Sequence, residues 1–177
     1  IWVLDEKYAG ESAQDKLFRL RETMRGTKAT VHLLTTLDDI VWLLNIRGDD
    51  IPCNPVVLSY LIVTMDACHL FIQRQAVGES VKLYLEELQV TLHPYEEVYS
   101  FVKNYKNETI LLEKACVNYA LCQGIDSSNR VLDRMNPEAM AKAVKNPVEM
   151  ENIRQAHIKD GVAVTRFMYW LKKNIGK

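Results

Sequence analysis

Eleven residues, Asn45-Ile46-Arg47-Gly48-Asp49-Asp50-Ile51-Pro52-Cys53-Asn54-Pro55, gather an arginine, two acids, a glycine and two prolines. Binding groups tend to sit on loops that a rigid scaffold holds, and a guanidinium such as that of Arg47 can fork around a carboxylate. Two readings stay open. Arg47 faces a cleft as a substrate-adjacent residue, or it pairs with Asp49 or Asp50 and braces the crossover; the need of charges near buried elements for partners favours bracing. The histidines, His32, His69, His93 and His157, stand far apart without an HExxH or a Cys/His cluster, so no metal site is nominated. His69 reads as a strand residue beside Leu70, His93 as a ring bonded to a turn carbonyl before Pro94, and His157 as the local partner of Asp160. Cys53, Cys68, Cys116 and Cys122 lack CxxC spacing and an activating setting, which predicts reduced thiols rather than a disulfide framework or a nucleophile. Neither GxSxG, GxGxxG nor GxxxxGK[ST] occurs, which argues against a serine-hydrolase elbow and a phosphate-binding loop.

The elements that would hold such residues are legible in the apolar spacing. Of 177 residues, 48% are hydrophobic and 25% charged, close to the globular average, and 22 basic against 23 acidic residues leave a net charge of −1. That balance leaves no basic stripe for nucleic acid, and Lys142, Lys145, Lys172 and Lys173 read as solvated helix faces. The longest apolar run, Val56 to Met65, is about half of what a bilayer span requires, so a soluble protein without a membrane partner is expected. The opening Ile1-Trp2-Val3-Leu4-Asp5-Glu6 has no secretory pattern and no initiator Met, as if cut from something longer.

Spacing predicts a helix from Ser12 to Gly26, a strand at Thr30 to Leu34, and a helix behind Thr36 through Leu37, Ile40, Val41 and Leu44. A buried strand from Val56 to Thr64 turns at Met65-Asp66-Ala67 into a return strand, Cys68 to Gln73. A helix then follows through Val81, Leu85 and Leu88, with a strand at Gln89 to Leu92 and a helix opened by Pro94 in its first turn. Tyr95, Tyr99 and Tyr105 on and after that helix read as packing against the sheet rather than as a stacking platform. Further strands are expected at Thr109 to Leu112 and at Val131-Leu132, and helices at Asn118 to Cys122 and Pro137 to Val144. The alternation argues α/β with a mixed sheet flanked by helices. Asn146-Pro147-Val148-Glu149 combines a cap residue, Pro at the first helical position and an acid at the third, and opens an uninterrupted helix of about 40 Å.

The blocks Thr36-Leu37-Asp38-Asp39-Ile40-Val41-Trp42-Leu43-Leu44-Asn45-Ile46-Arg47-Gly48-Asp49-Asp50, Asn54-Pro55-Val56 and Ser59-Tyr60 resemble the middle domain of three-domain Xaa-Pro aminopeptidases of the cytosolic aminopeptidase P type. Tyr8-Ala9-Gly10, His93-Pro94-Tyr95, and Ala141 to Asn146 leading into Arg154 to Asp160 follow in the same order, so the resemblance covers essentially the whole chain. Asp49, Cys53 and Gly161 depart from it, where Ser, His and Ala are usual. The resemblance implies a creatinase/prolidase N-type domain over 1–144, and over 145–177 the start of a pita-bread catalytic domain. It implies a parent that hydrolyses the peptide bond before proline with two manganese ions, bound by two Asp, one His and two Glu, none of which is present here. No catalytic or metal residue is therefore assigned, and the chain alone is expected to be inactive. Proline-containing peptides, a homodimeric parent and a cytoplasmic location are implied as well. The alternative is a peptidase-like pseudoenzyme of the histone-chaperone type, which binds protein without cleaving it.

Overall fold

A computed structural model describes residues 1–176. The element order is β1 (Trp2–Val3), α1 (Glu6–Ala9), α2 (Ala13–Thr27), β2 (Val31–Leu34), α3 (Leu37–Leu43), β3 (Ile46–Arg47), β4 (Ser59–Thr64), β5 (Cys68–Ile72), α4 (Glu79–Glu87), β6 (Val90–Pro94), α5 (Val98–Phe101), β7 (Thr109–Leu112), α6 (Tyr119–Gly124), β8 (Arg130–Asp133), α7 (Pro137–Ala143) and α8 (Pro147–Asn174). Six strands form one sheet in the order β6-β5-β4-β2-β7-β8, and β1 pairs separately with β3. The hairpin supplies the antiparallel pair β4 with β5, and β2 also runs antiparallel to β4. Helical crossovers supply the parallel pairs β5 with β6 and β7 with β8, and β2 runs parallel to β7. The mixed sheet expected from the alternation is therefore present.

Side-chain alternation splits the core into two layers. Leu61, Val63, Leu70 and Ile72 face a cluster that holds Leu17, Leu20 and Met24 of α2 and Ile40, Val41 and Leu44 around α3. Val31, Leu33, Ile62, Phe71, Ile110 and Leu112 face the other cluster, closed by Val98, Val102 and Leu121. Each sheet face thus carries its own helices, which is why the central strands read as continuous apolar runs.

Several boundaries differ from the periodic reading for local reasons. Ser12 caps α2 by accepting from the Asp15 N–H, yet Gly26 lies inside the helix and the stop falls at Lys28, whose φ of 58° is left-handed. Residues 56–58 stay outside β4 because this stretch is held by the preceding loop: Gly48 N–H donates to the Pro55 carbonyl and Asp50 N–H to that of Val56. Pro94 does not open a helix. It closes β6 opposite Ile72, and the chain reaches α5 through a short 3-10 turn, Tyr95–Glu97.

Helix α8 runs 28 residues, about 42 Å at 1.5 Å per residue. Its N-terminus carries a reciprocal capping box: the Asn146 side chain accepts from the Glu149 N–H while the Glu149 carboxylate accepts from the Asn146 N–H. From Ile153 to Trp170 every residue is exposed, including Phe167, Tyr169 and Trp170. No helix among the described residues is long and apolar enough to cross a membrane.

Candidate functional site

The start of α8 closes over α1 and β3 and leaves a cleft of about 570 Å³ lined by Tyr8, Trp42, Arg47, Lys145, Glu149 and Ile153, among others. Local chemistry builds each wall. Gly10 ends α1 at φ 69°, and a Cβ there would lie 2.3 Å from Asn146 Oδ1, so this left-handed turn brings the α8 cap against α1. Asn146 Nδ2 then donates to the Ala9 carbonyl at 2.7 Å, and Asn152 Nδ2 to that of Lys7 at 3.2 Å. The side chain that initiates α8 therefore also fastens it to the N-terminal segment.

Beneath the cleft lies Lys16, a charged residue in an apolar position of α2 and only 2% exposed. Its Nζ donates to the Trp42 carbonyl at 2.9 Å and to Asn45 Oδ1 at 2.7 Å, and lies 4.2 Å from the Trp42 ring centre. Burial pulls its pKa down to about 8, against the pull of Glu11 and Glu149. Asn45 adopts a left-handed φ of 50° and passes the network on by donating from Nδ2 to the Glu11 carbonyl. The Trp42 indole N–H donates to Glu149 Oε1 at 3.2 Å, which joins α3 to the α8 cap.

Arg47 borders this cleft, and the structure corrects the partners expected for its bracing role. It pairs with neither Asp49 nor Asp50. Its Nη1 donates to the carbonyls of Val41 and Ile46, both at 2.8 Å, while Asp50 Oδ2 accepts from the Leu58 N–H. Burial lowers the Arg47 pKa and the charge of Glu149 opposes that shift.

The other expected residues lie elsewhere. His93 bonds a second histidine and not a turn carbonyl: its Nε2 lies 3.1 Å from His69 Nδ1, because β5 and β6 run parallel and place both rings on one sheet face beside Phe101. Burial lowers both pKa values. His157 and Asp160 are exposed on α8 and form no ion pair among the described residues. Tyr95 and Tyr99 pack on Tyr60, and Phe101 on Tyr105, as sheet-packing residues should. All four cysteines are free, with Cys68 buried and its thiol pushed up to about 12.

One polar pair had no signal in the sequence. His32, fully buried on β2, places Nδ1 3.0 Å from the Leu111 carbonyl and Nε2 3.1 Å from Glu138 Oε2 on α7. Lys142, one turn further along α7, pairs with Asp38 and, at 2.7 Å, with Asp39. Helix α7 is thus pinned to β2 and α3 by charge, directly before α8 begins. No group of three or more His, Cys, Asp or Glu side chains among the described residues could hold a metal ion. These residues do not fit a dinuclear centre, and no step of metal chemistry is assigned to them.

The profile of the creatinase/prolidase N-terminal domain matches residues 1–149. The chain belongs to this family. As a creatinase/prolidase N-terminal domain it is 36% identical over 98% of its length to Xaa-Pro aminopeptidase app-1 of Caenorhabditis elegans. It is 33% identical over 99% of its length to Xaa-Pro aminopeptidase 1 of Dictyostelium discoideum. The chain spans only 29% and 28% of these two relatives. It superposes with a TM-score of 0.91, over 99% of its length and 30% of the other chain, on the crystal structure of X-prolyl aminopeptidase from C. elegans, at 35% identity. That protein is described as a cytosolic enzyme with a di-nuclear active site. The N-terminal domain of FACT complex subunit SPT16 from chickpea shares the fold at a TM-score of 0.57 and 15% identity, covering 92% of this chain and 46% of that one.

Proposed function

We propose that this chain is the non-catalytic middle unit of an Xaa-Pro aminopeptidase, a hydrolase that removes the N-terminal residue preceding proline. The observation that carries the reading is the match in sequence and structure over nearly the whole chain to the C. elegans enzyme. In this reading residues 1–144 form the creatinase/prolidase N-type domain and 145–177 open the catalytic domain. The di-nuclear centre, with two manganese ions, belongs to the longer protein, which is cytoplasmic, homodimeric and active on proline-containing peptides.

The domain's part follows from its chemistry. With no metal-ligand cluster among the described residues, it contributes shape and charge: the mouth of the active site, the subunit arrangement, and Arg47 as a substrate-adjacent cation beside the α8 cap. The pseudoenzyme reading draws on the chickpea SPT16 likeness, which at 15% identity supports the fold alone.

The test is turnover. The longer protein, supplied with Mn²⁺, should release the first residue of an X-Pro-Pro peptide and lose activity on chelation, whereas the 177-residue chain should release none. Turnover by the chain alone would refute its non-catalytic role. A longer protein that is inactive, and whose downstream sequence lacks the two Asp, one His and two Glu, would establish the pseudoenzyme.

A further inference from the structure

Arg47 is a half-buried guanidinium without an acid. Its Nη1 is taken up by two carbonyls, while Nε and Nη2 have no hydrogen-bond partner among the described residues. No carboxylate of the described residues forms an ion pair with it. The acid that influences it, Glu149, is already committed through both oxygens, Oε1 to the Trp42 indole and Oε2 to the Asn146 N–H. Asp50, close in sequence, is held by the Leu58 N–H. Neither of these two nitrogens is a buried atom, so both stay reachable by an incoming group, and the group that pairs with such a fork bidentately is a carboxylate.

The surroundings fit that group and what would be attached to it. Lys16, Arg47 and Lys145 line the cleft against the single acid Glu149, and Tyr8 and Ile153 offer apolar wall beside them. We propose that the cleft between β3 and the start of α8 binds a carboxylate on the open Nε and Nη2 edge of Arg47, with the attached apolar chain lying along Tyr8 and Ile153. The C-terminal carboxylate of a short peptide has this chemistry; in that form the inference rests on, and deepens, the reading of Arg47 as substrate-adjacent. An acidic side chain from the part of the relatives that this chain does not span presents the same group. The two sources are separable by experiment.

The 177-residue chain is titrated with N-acetyl-Pro-Phe as the free acid and as its amide. Binding is read by calorimetry and by the Trp42 indole N–H resonance, assigned with Trp42→Phe. The acid should shift that resonance saturably and bind at least about tenfold more tightly than the amide, with affinity falling as salt rises. Arg47→Met should abolish acid binding, and Arg47→Lys should weaken it about tenfold, since an ammonium keeps the charge and loses the fork. Glu149→Gln should tighten acid binding by removing the opposing charge, an effect of opposite sign that a merely loosened fold would not give.

Equal binding of acid and amide, or acid binding that survives Arg47→Met, overturns the proposal. A second arm uses the longer protein, where Arg47→Lys should raise KM for peptide acids relative to peptide amides and leave kcat in place. Acid-selective binding by the chain with no change in that KM ratio upholds the carboxylate site, removes the substrate-adjacent reading, and points to an internal acidic side chain as occupant. No acid-selective binding by the chain overturns the inference, whatever the longer protein does; a KM change would then uphold the substrate-adjacent reading alone.

Discussion

Replacing Glu138 by Gln isolates the buried pair that fastens α7 to the sheet. A carbonyl oxygen only accepts, so His32 Nδ1 carries a proton for Leu111, and one further proton lies between Nε2 and the Glu138 carboxylate. Burial alone pulls the His32 pKa down, but the charge of Glu138 and the two hydrogen bonds outweigh it, so the folded value is raised above 6.5. The folded chain therefore binds this proton more tightly than the unfolded chain. Its stabilisation is full below about pH 6.5 and is lost as pH rises through the folded value.

Removing one side of a buried ion pair costs about 3–5 kcal/mol. Glutamine keeps an acceptor in place, so Glu138→Gln belongs near the lower end, about 3 kcal/mol at pH 5.5. At about 2–4 °C per kcal/mol for a chain of this size, the melting temperature should drop by about 6–12 °C. The pH dependence is the sharper readout. Without the carboxylate charge, burial dominates and lowers the His32 pKa, so the variant gains stability as pH rises towards 6.5, and the parent chain loses its own as pH rises above it. Urea unfolding from pH 5 to 8.5 should show the difference between the two proteins shrinking with pH. A difference that is constant or grows, or a melting temperature within 1 °C of the parent's, would refute the assignment of an imidazolium to the folded state.

Gly10→Ala forces a side chain into a left-handed turn and against Asn146 Oδ1 at 2.3 Å; it should cost at least about 1–2 kcal/mol and speed hydrogen exchange in the first turn of α8. Asn146→Ala removes the cap and the bond to the Ala9 carbonyl, which predicts a loss of about 1–2 kcal/mol by urea unfolding. Lys16, depressed from 10.5 to about 8, binds its proton less tightly when folded, so it opposes folding most strongly below pH 8 and progressively less as pH rises through 8 to 10.5. Stability of the parent chain relative to Lys16→Met should accordingly increase over that interval, and a flat difference would show that the ammonium is not desolvated. A thiol reagent should label the exposed Cys53 and Cys116 in the native chain, and should reach Cys68 only on unfolding.

Local chemistry made much of this fold readable. The alternation in Leu61-Ile62-Val63 is periodic because the two sheet faces meet different helices, and Asn146-Pro147-Val148-Glu149 announces α8 because cap, Pro and acid all act within one turn. Strands β1 and β3 have two residues each, too short to express a period, and their pairing is set by the fold around them. The cleft was only half legible. Arg47 stood out by its loop, but whether it met Asp49, Asp50 or a carbonyl depends on side-chain direction, which spacing does not encode. Lys16 leaves a faint trace, a lysine one residue before Leu17 and four before Leu20 on an otherwise apolar face. His32 leaves none, since its partner lies 106 residues away and the contact exists only once α7 has docked.

The Asn146 clasp has a mechanical consequence. Because one side chain both starts α8 and bonds the turn before Gly10, the opening ten residues and the base of the long helix share one anchor at the α1 turn. The 42 Å rod is thereby fastened at its base to the segment whose strand pairs with the one bearing Arg47.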